Sequence, residues 1–158
     1  MLSAAVTGGV ITRYENAFAT LPLLVAFLPM VMGTGGNCGS QSSTLIIRGL
    51  ANDEIKTKDV FKAWWKEVRV AFLVGLALFA VNFLRVLFQY HDTKLGIIIG
   101  TTLMGTVTIA KSLGCILPII AKKLKMDPAI MAAPLISTIL DTCSVLLYFN
   151  IATLVMGL

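Results

Sequence analysis

Apolar residues run along this chain in long unbroken stretches, without the alternation of a strand or the one-sided stripe of a soluble helix. Segments 17–32, 70–84, 95–121 and 129–158 contain just two charged side chains, Lys111 and Asp141. Hydrocarbon demands such clearing, because it holds no water to solvate an ionised group. About 20 mostly apolar residues cross a bilayer as a helix. The pattern predicts helices over 70–90, 95–121 and 128–158, and a helix over 16–48 broken at a glycine-rich string that begins at Gly33. Residues 1–12 are small and apolar but too few to cross. They read as a stub, the end of a helix whose beginning is missing. The expected fold class is an all-α polytopic membrane protein, one transmembrane domain over 1–158 with five helices, the first truncated.

A different kind of helix is expected over 53–69. Val60, Phe61, Trp64, Trp65 and Val68 share one helical face, with Lys58, Lys62 and Lys66 elsewhere. That pattern suits a helix lying in the interface, its tryptophans at headgroup depth. The alternative is a gate against a pore mouth.

Composition narrows the class further. Of 158 residues, 57% are hydrophobic and 13% charged, about half the charge of a soluble domain. A globule of this size cannot hide so much apolar surface from water. Disorder, coiled coil and a disulfide framework are excluded by the same figures. The net charge of +5 follows topology. Arg48, Lys56, Lys58, Lys62, Lys66, Arg69, Lys122, Lys123 and Lys125 fall in loops of one side, against Arg13, Arg85 and Lys94 on the other. By the positive-inside rule the first side is the cytoplasm. The expected partner is the lipid bilayer of the cell membrane, the plasma (inner) membrane in a prokaryote. A nucleic-acid footprint would need a basic soluble face, and none is present.

Two polar islands interrupt the apolar chain. The first runs from Gly33 to Thr44, with four glycines in its first seven positions. Each weakens a helix by about 1 kcal/mol relative to alanine. Irregular backbone at membrane depth is tolerated where it lines a cavity, which makes Gly33, Asn37 and Gln41 candidate path-lining residues. Asn37, Gln41 and Thr44 would share one face of a helix. The competing reading is that the small residues let helices approach closely. The second island is Asp141, 13 residues beyond Pro128, hence about 20 Å along a helix and near mid-bilayer. A carboxylate there costs about 2.5–3.5 kcal/mol even on the lenient insertion scale, and usually faces water, a partner charge or an ion path. Ser137 shares its face at i, i+4. Lys111, at similar depth, is the candidate partner if Asp141 belongs to a structural ion pair. Asp127 precedes Pro128 and reads as an N-cap, with a cation contact at the cytoplasmic mouth as a second role.

No Ser-His-Asp set, phosphate loop or zinc signature occurs. The three cysteines and the single histidine have no metal-clamp spacing, and the chain is not expected to be an enzyme. One acid per chain at mid-membrane suggests shared use across a two-fold axis. Two carboxylates with hydroxyls and carbonyls make an all-oxygen site, which suits hard cations: Mg²⁺, Mn²⁺ or Ca²⁺. Mg²⁺ gives up its water reluctantly, so the site fits a largely hydrated ion.

Residues 35–51, GGNCGSQSSTLIIRGLA, resemble the GGNxGxQxSTLxxRxLA signature of the MgtE magnesium channel family. Residues 114–118 (GCILP), 127–129 (DPA) and 134–141 (PLISTILD) resemble its last two helices. The resemblance covers the whole chain. It implies a five-helix domain that forms a homodimer with the ion path between protomers. It further implies that Asp141 is the pore carboxylate for hydrated Mg²⁺, Asn37 the motif asparagine lining the path, and Ser137 part of the pore-facing turn. Full-length members carry cytosolic regulatory domains, and none is expected within this chain. Lys111 stands where the family commonly has asparagine, so it either points away from the path or alters selectivity. The function implied is divalent-cation transport. The alternatives are a Na⁺- or H⁺-coupled Mg²⁺ carrier, and a non-conducting membrane scaffold held by an Asp141–Lys111 pair.

Overall fold

A computed structural model describes residues 8–9, 12, 22–131 and 133–157. Four helices account for nearly all of it: α1 (Pro22–Ala51), α2 (Val60–Tyr90), α3 (Thr93–Lys123) and α4 (Ala133–Met156), with a 3₁₀ turn at Pro128–Met131 before α4. Each of the four is long and apolar enough to cross a membrane. Gly8, Gly9 and Thr12 are helical; the rest of the expected stub, 1–12, lies outside the described residues.

The connections follow from local chemistry. Between α2 and α3 the chain turns on two residues. His91 adopts the left-handed conformation that ends α2, and its N–H bonds to the Leu87 carbonyl. Asp92 then caps α3, its carboxylate accepting from the Leu95 N–H at 3.1 Å. This satisfies one of the donors that a helix start leaves free. At the other end of the bundle Lys122 donates to the Leu50 carbonyl. That bond ties the end of α3 to the end of α1, so the two basic loops lie at one end, as the charge asymmetry predicts.

Helix α3 is the centre, packing on α2, α1 and α4, while α1 and α4 also pack on each other. One cluster, at the end away from the basic loops, joins Leu24, Phe27 and Val31 of α1 to Ile98, Ile99 and Leu103 of α3 and Val145 and Phe149 of α4. Within it the Tyr148 hydroxyl donates to the Leu24 carbonyl at 3.0 Å. A second, at the basic end, joins Ile46, Leu50, Cys115 and Ile119, with Trp64 packed against them. α2 turns Phe72, Leu73, Leu76, Val81 and Phe88 outward, the surface expected of a helix bordering lipid.

The last helix, expected from 128, starts at Ala133 after the 3₁₀ turn, which puts Asp141 eight residues, about 12 Å, into α4 instead of about 20 Å along a helix from Pro128. Two further boundaries differ from the sequence expectation. The helix that was to break at the glycine string runs unbroken through it to Ala51. The glycines are contact points. A Cβ on Gly35 would stand 2.6 Å from Ser144 Oγ and 3.0 Å from Thr106 Cγ2, and one on Gly39 would meet Leu140 and Ile136 of α4. Gly114 of α3 lies against the Gly39 carbonyl. Helices in lipid gain little from apolar burial against each other, so close approach through small residues supplies the packing. That packing overrides the low helix propensity of glycine. Second, the interfacial helix expected over 53–69 and the span over 70–90 form one element from Val60. Its face divides: Trp64 turns inward, its Nε1 donating to Ser112 Oγ at 3.1 Å, while Phe61 and Trp65 stay exposed. At 31 residues the helix is about 46 Å long, longer than a hydrocarbon core of about 30 Å. Its first turns therefore extend into the interface as part of the span.

The glycine contacts set a contrast. Gly39→Leu should lower the thermal midpoint of the purified protein in detergent, because overpacking costs about 1–3 kcal/mol. Gly33→Ala, where nothing lies within 4 Å of the added carbon, should leave the midpoint unchanged or raise it. Equal melting of the two variants would refute the packing role of Gly39.

Candidate functional site

α1 and α4 meet beside Asp141. A Cβ on Gly36 would lie 3.8 Å from Ser137 Cβ and 4.0 Å from Asp141 Oδ1. The motif helix thus runs alongside the carboxylate, at ordinary van der Waals distance for a side chain at this position. Ser137 and Asp141 are half-buried on α4. On α1, Gly33, Asn37, Gln41 and Thr44 are exposed, at spacings of four, four and three. The predicted polar face therefore exists, and it points out of the single-chain bundle. Its opposite face carries Gly35, Gly39, Ser42, Ser43 and Ile46, all buried.

Among the described residues no cation lies within ion-pair distance of Asp141, and the only ion pair is Lys111–Glu67. The Asp141–Lys111 pair weighed from the sequence does not form. Lys111 Nζ sits 3.1 Å from Glu67 Oε2, with the side chains 7% and 10% exposed. Ser42 Oγ divides its hydrogen bonding between Glu67 Oε2 at 2.8 Å and the Lys111 carbonyl at 3.2 Å. This knot joins α1, α2 and α3 on the buried side of the motif helix. It turns the ammonium away from the exposed polar face and neutralises it. Lys111 therefore faces the interior of the bundle and not the exposed strip of α1.

Sequence reasoning missed Glu67 because it sits in a charge-rich stretch that reads as interfacial. The signal was available. Val60, Trp64, Glu67 and Ala71 follow the spacing of one helical face, and Glu67 is the lone acid in that otherwise apolar row. Asp127 behaves as expected of a cap: it is exposed, and its Oδ1 accepts from the Ala129 N–H at 2.9 Å, at the start of the 3₁₀ turn. His91 is exposed, as a loop residue should be. Among the described residues no three His, Cys, Asp or Glu side chains gather to hold a metal ion. Within one copy, a cation site at Asp141 would thus combine one carboxylate with neutral oxygens.

Four long apolar helices, a motif helix with one polar face left uncovered, and an unpaired acid beside it define a polytopic helical membrane domain. Comparison with known proteins gives the family. Its model MgtE, described as "Divalent cation transporter", matches residues 28–151. The chain belongs to the MgtE family, and so to a family of multi-pass membrane transporters rather than enzymes. It is 36% identical over 148 residues to the "Magnesium transporter MgtE" of Bacillus subtilis, covering 94% of this chain and 33% of that protein. It is 33% identical over 156 residues to the protein of the same name from Thermus thermophilus, covering 99% and 34%. For the Enterococcus faecalis protein the identity is 34% over 154 residues, covering 95% and 33%. The chain spans about a third of the length of these relatives.

The buried knot makes a prediction about stability. Lys111→Met leaves a carboxylate buried without its partner, a loss of about 3–5 kcal/mol. The double variant Lys111→Met/Glu67→Gln removes both charges and should recover most of that loss. Thermal unfolding followed by circular dichroism in detergent measures it; strictly additive losses from the two single changes would show that the pair is not coupled.

Proposed function

We propose that this chain carries divalent cations, Mg²⁺ first among them, across the membrane through a path shared by two copies. The observation that carries the proposal is the uncovered polar strip on α1 beside Asp141. Gly33, Asn37, Gln41 and Thr44 lie exposed on a helix otherwise built for lipid. Polar groups at that depth require water or a protein partner. A second copy related by a two-fold axis would present the same strip and enclose the water between them. The relatives named as magnesium transporters support the choice of ion.

In this reading Asp141 supplies the charge. Two carboxylates, one from each copy, accept hydrogen bonds from the water shell of a largely hydrated ion, which is how Mg²⁺ is held where few direct ligands are offered. Asn37 and Gln41 add neutral donors and acceptors along the strip, and Gly33 widens it by having no side chain. Ser137 lies one turn from Asp141 on the same face. Asp127, with Oδ1 engaged by the backbone, keeps its other oxygen for a cation arriving at the basic end, where it offsets the surrounding lysines. Mn²⁺ and Ca²⁺ satisfy the same oxygen chemistry.

Uptake into liposomes tests the proposal. Removing one charged hydrogen-bonding group costs about 1.5–3 kcal/mol, so Asp141→Ala should weaken Mg²⁺-dependent uptake roughly ten- to hundredfold. Wild-type uptake by this variant would take Asp141 out of the mechanism. Electrogenic uptake that persists when Na⁺ and H⁺ gradients are collapsed identifies a channel, and dependence on either gradient identifies a coupled carrier.

A further inference from the structure

At the basic end a pocket of about 570 Å³ opens between the last turns of α1 and the first turns of α2, with the Lys111–Glu67 pair of α3 and α2 at its floor. Its lining is ordered by depth. Glu54 and Asp59, in the loop and at the start of α2, stand at the mouth. Arg48, Lys62 and Lys66 follow about one to two turns in. Leu45, three residues nearer the basic end than the Ser42 that bonds Glu67, stands level with these cations, and Val70, 38% exposed, lies one turn beyond Lys66. From Asp59 to Val70 is about 16 Å of helix.

None of the three cations at mid-depth has a carboxylate within ion-pair distance, since the only ion pair among the described residues is Lys111–Glu67. Glu54 and Asp59 are likewise without a cation. Asp59 makes no side-chain cap bond to α2. Unpaired charges of opposite sign, layered beside and above apolar side chains, are the complement of one kind of molecule. A phospholipid whose headgroup ends in a primary ammonium presents ammonium outermost, phosphate beneath it, and acyl chains below. Basic pockets between membrane helices at the cytoplasmic side recognise lipid phosphates in this way.

We propose that this pocket binds one phospholipid of the ethanolamine headgroup class. The phosphate lies among Arg48, Lys62 and Lys66, the ammonium at Glu54 and Asp59, and the chains run over Leu45 and Val70. Choline lipid offers the same phosphate but no N–H donors for the carboxylates. Glycerol lipid offers no cation, and its anionic headgroup meets two acids at the mouth.

The chain's two tryptophans, Trp64 and Trp65, provide the assay. Trp65→Phe leaves Trp64, which packs on the same buried cluster as Ile55 and Ala63, both of the pocket wall. The purified protein is mixed with dibrominated phosphatidylethanolamine, phosphatidylcholine or phosphatidylglycerol at fixed Mg²⁺, and quenching of Trp64 gives relative association constants. Ethanolamine lipid should bind about threefold more tightly than the other two, the scale of one exposed ion pair. Glu54→Gln/Asp59→Asn should abolish its advantage over choline lipid, and Lys62→Ala/Lys66→Ala should weaken ethanolamine and choline lipid alike. Soluble phosphoethanolamine should not compete at the same concentrations.

Equal quenching by all three lipids, or preference for glycerol lipid, would overturn the proposal. So would displacement by phosphoethanolamine at the lipid's own concentration. Absence of quenching by any of the three lipids would overturn it as well. The assay requires no transport, so its outcome stands apart from that of the uptake experiment.

Discussion

Hydrocarbon accepts an ionised side chain only when the charge is matched by another or kept wet, and the two charges inside the spans meet that condition in opposite ways. Lys111 is matched. Glu67 comes to it from α2 and Ser42 from α1, and the three are buried together. Asp141 has no cation within ion-pair distance among the described residues, and it lies half-buried beside Gly36 of α1. The same constraint explains the rotation of α1. Its small residues and Ser42 face inward, which leaves Asn37 and Gln41 on the outside. A buried ion pair is weak evidence for net stability. Here it also fixes which face of the motif helix is presented.

The glycines serve that arrangement by bringing backbones together. Gly39 and Gly114 let α1 and α3 touch almost main chain to main chain, and Gly39 also seats Leu140 and Ile136 of α4 against α1. A soluble bundle could obtain comparable cohesion from the hydrophobic effect. In lipid that term largely vanishes between helices, so shape and hydrogen bonds must hold the elements. The Tyr148–Leu24 and Trp64–Ser112 bonds are further instances.

Much of this was legible in the chain. The spans showed as charge-free stretches, and the gathering of the two basic loops at one end as a lysine asymmetry. The face shared by Asn37, Gln41 and Thr44 followed from helical spacing alone. What was not legible depended on partners. The continuity of α1 through its glycines is set by Ser144, Thr106 and Leu140, which are distant in sequence. The fate of Lys111 is set by a glutamate 44 residues away. A local pattern gives the cost of a glycine or a charge, and tertiary contact decides how that cost is offset.

The turn of His91 and Asp92 leaves α2 and α3 no slack. With two residues between them, one helix cannot slip a turn past its neighbour without unwinding. The pair is a stator. Ser42 fastens α1 to the same hairpin through Glu67 and Lys111, so the stator holds three of the four described helices and α4, which carries Asp141, is the one outside it.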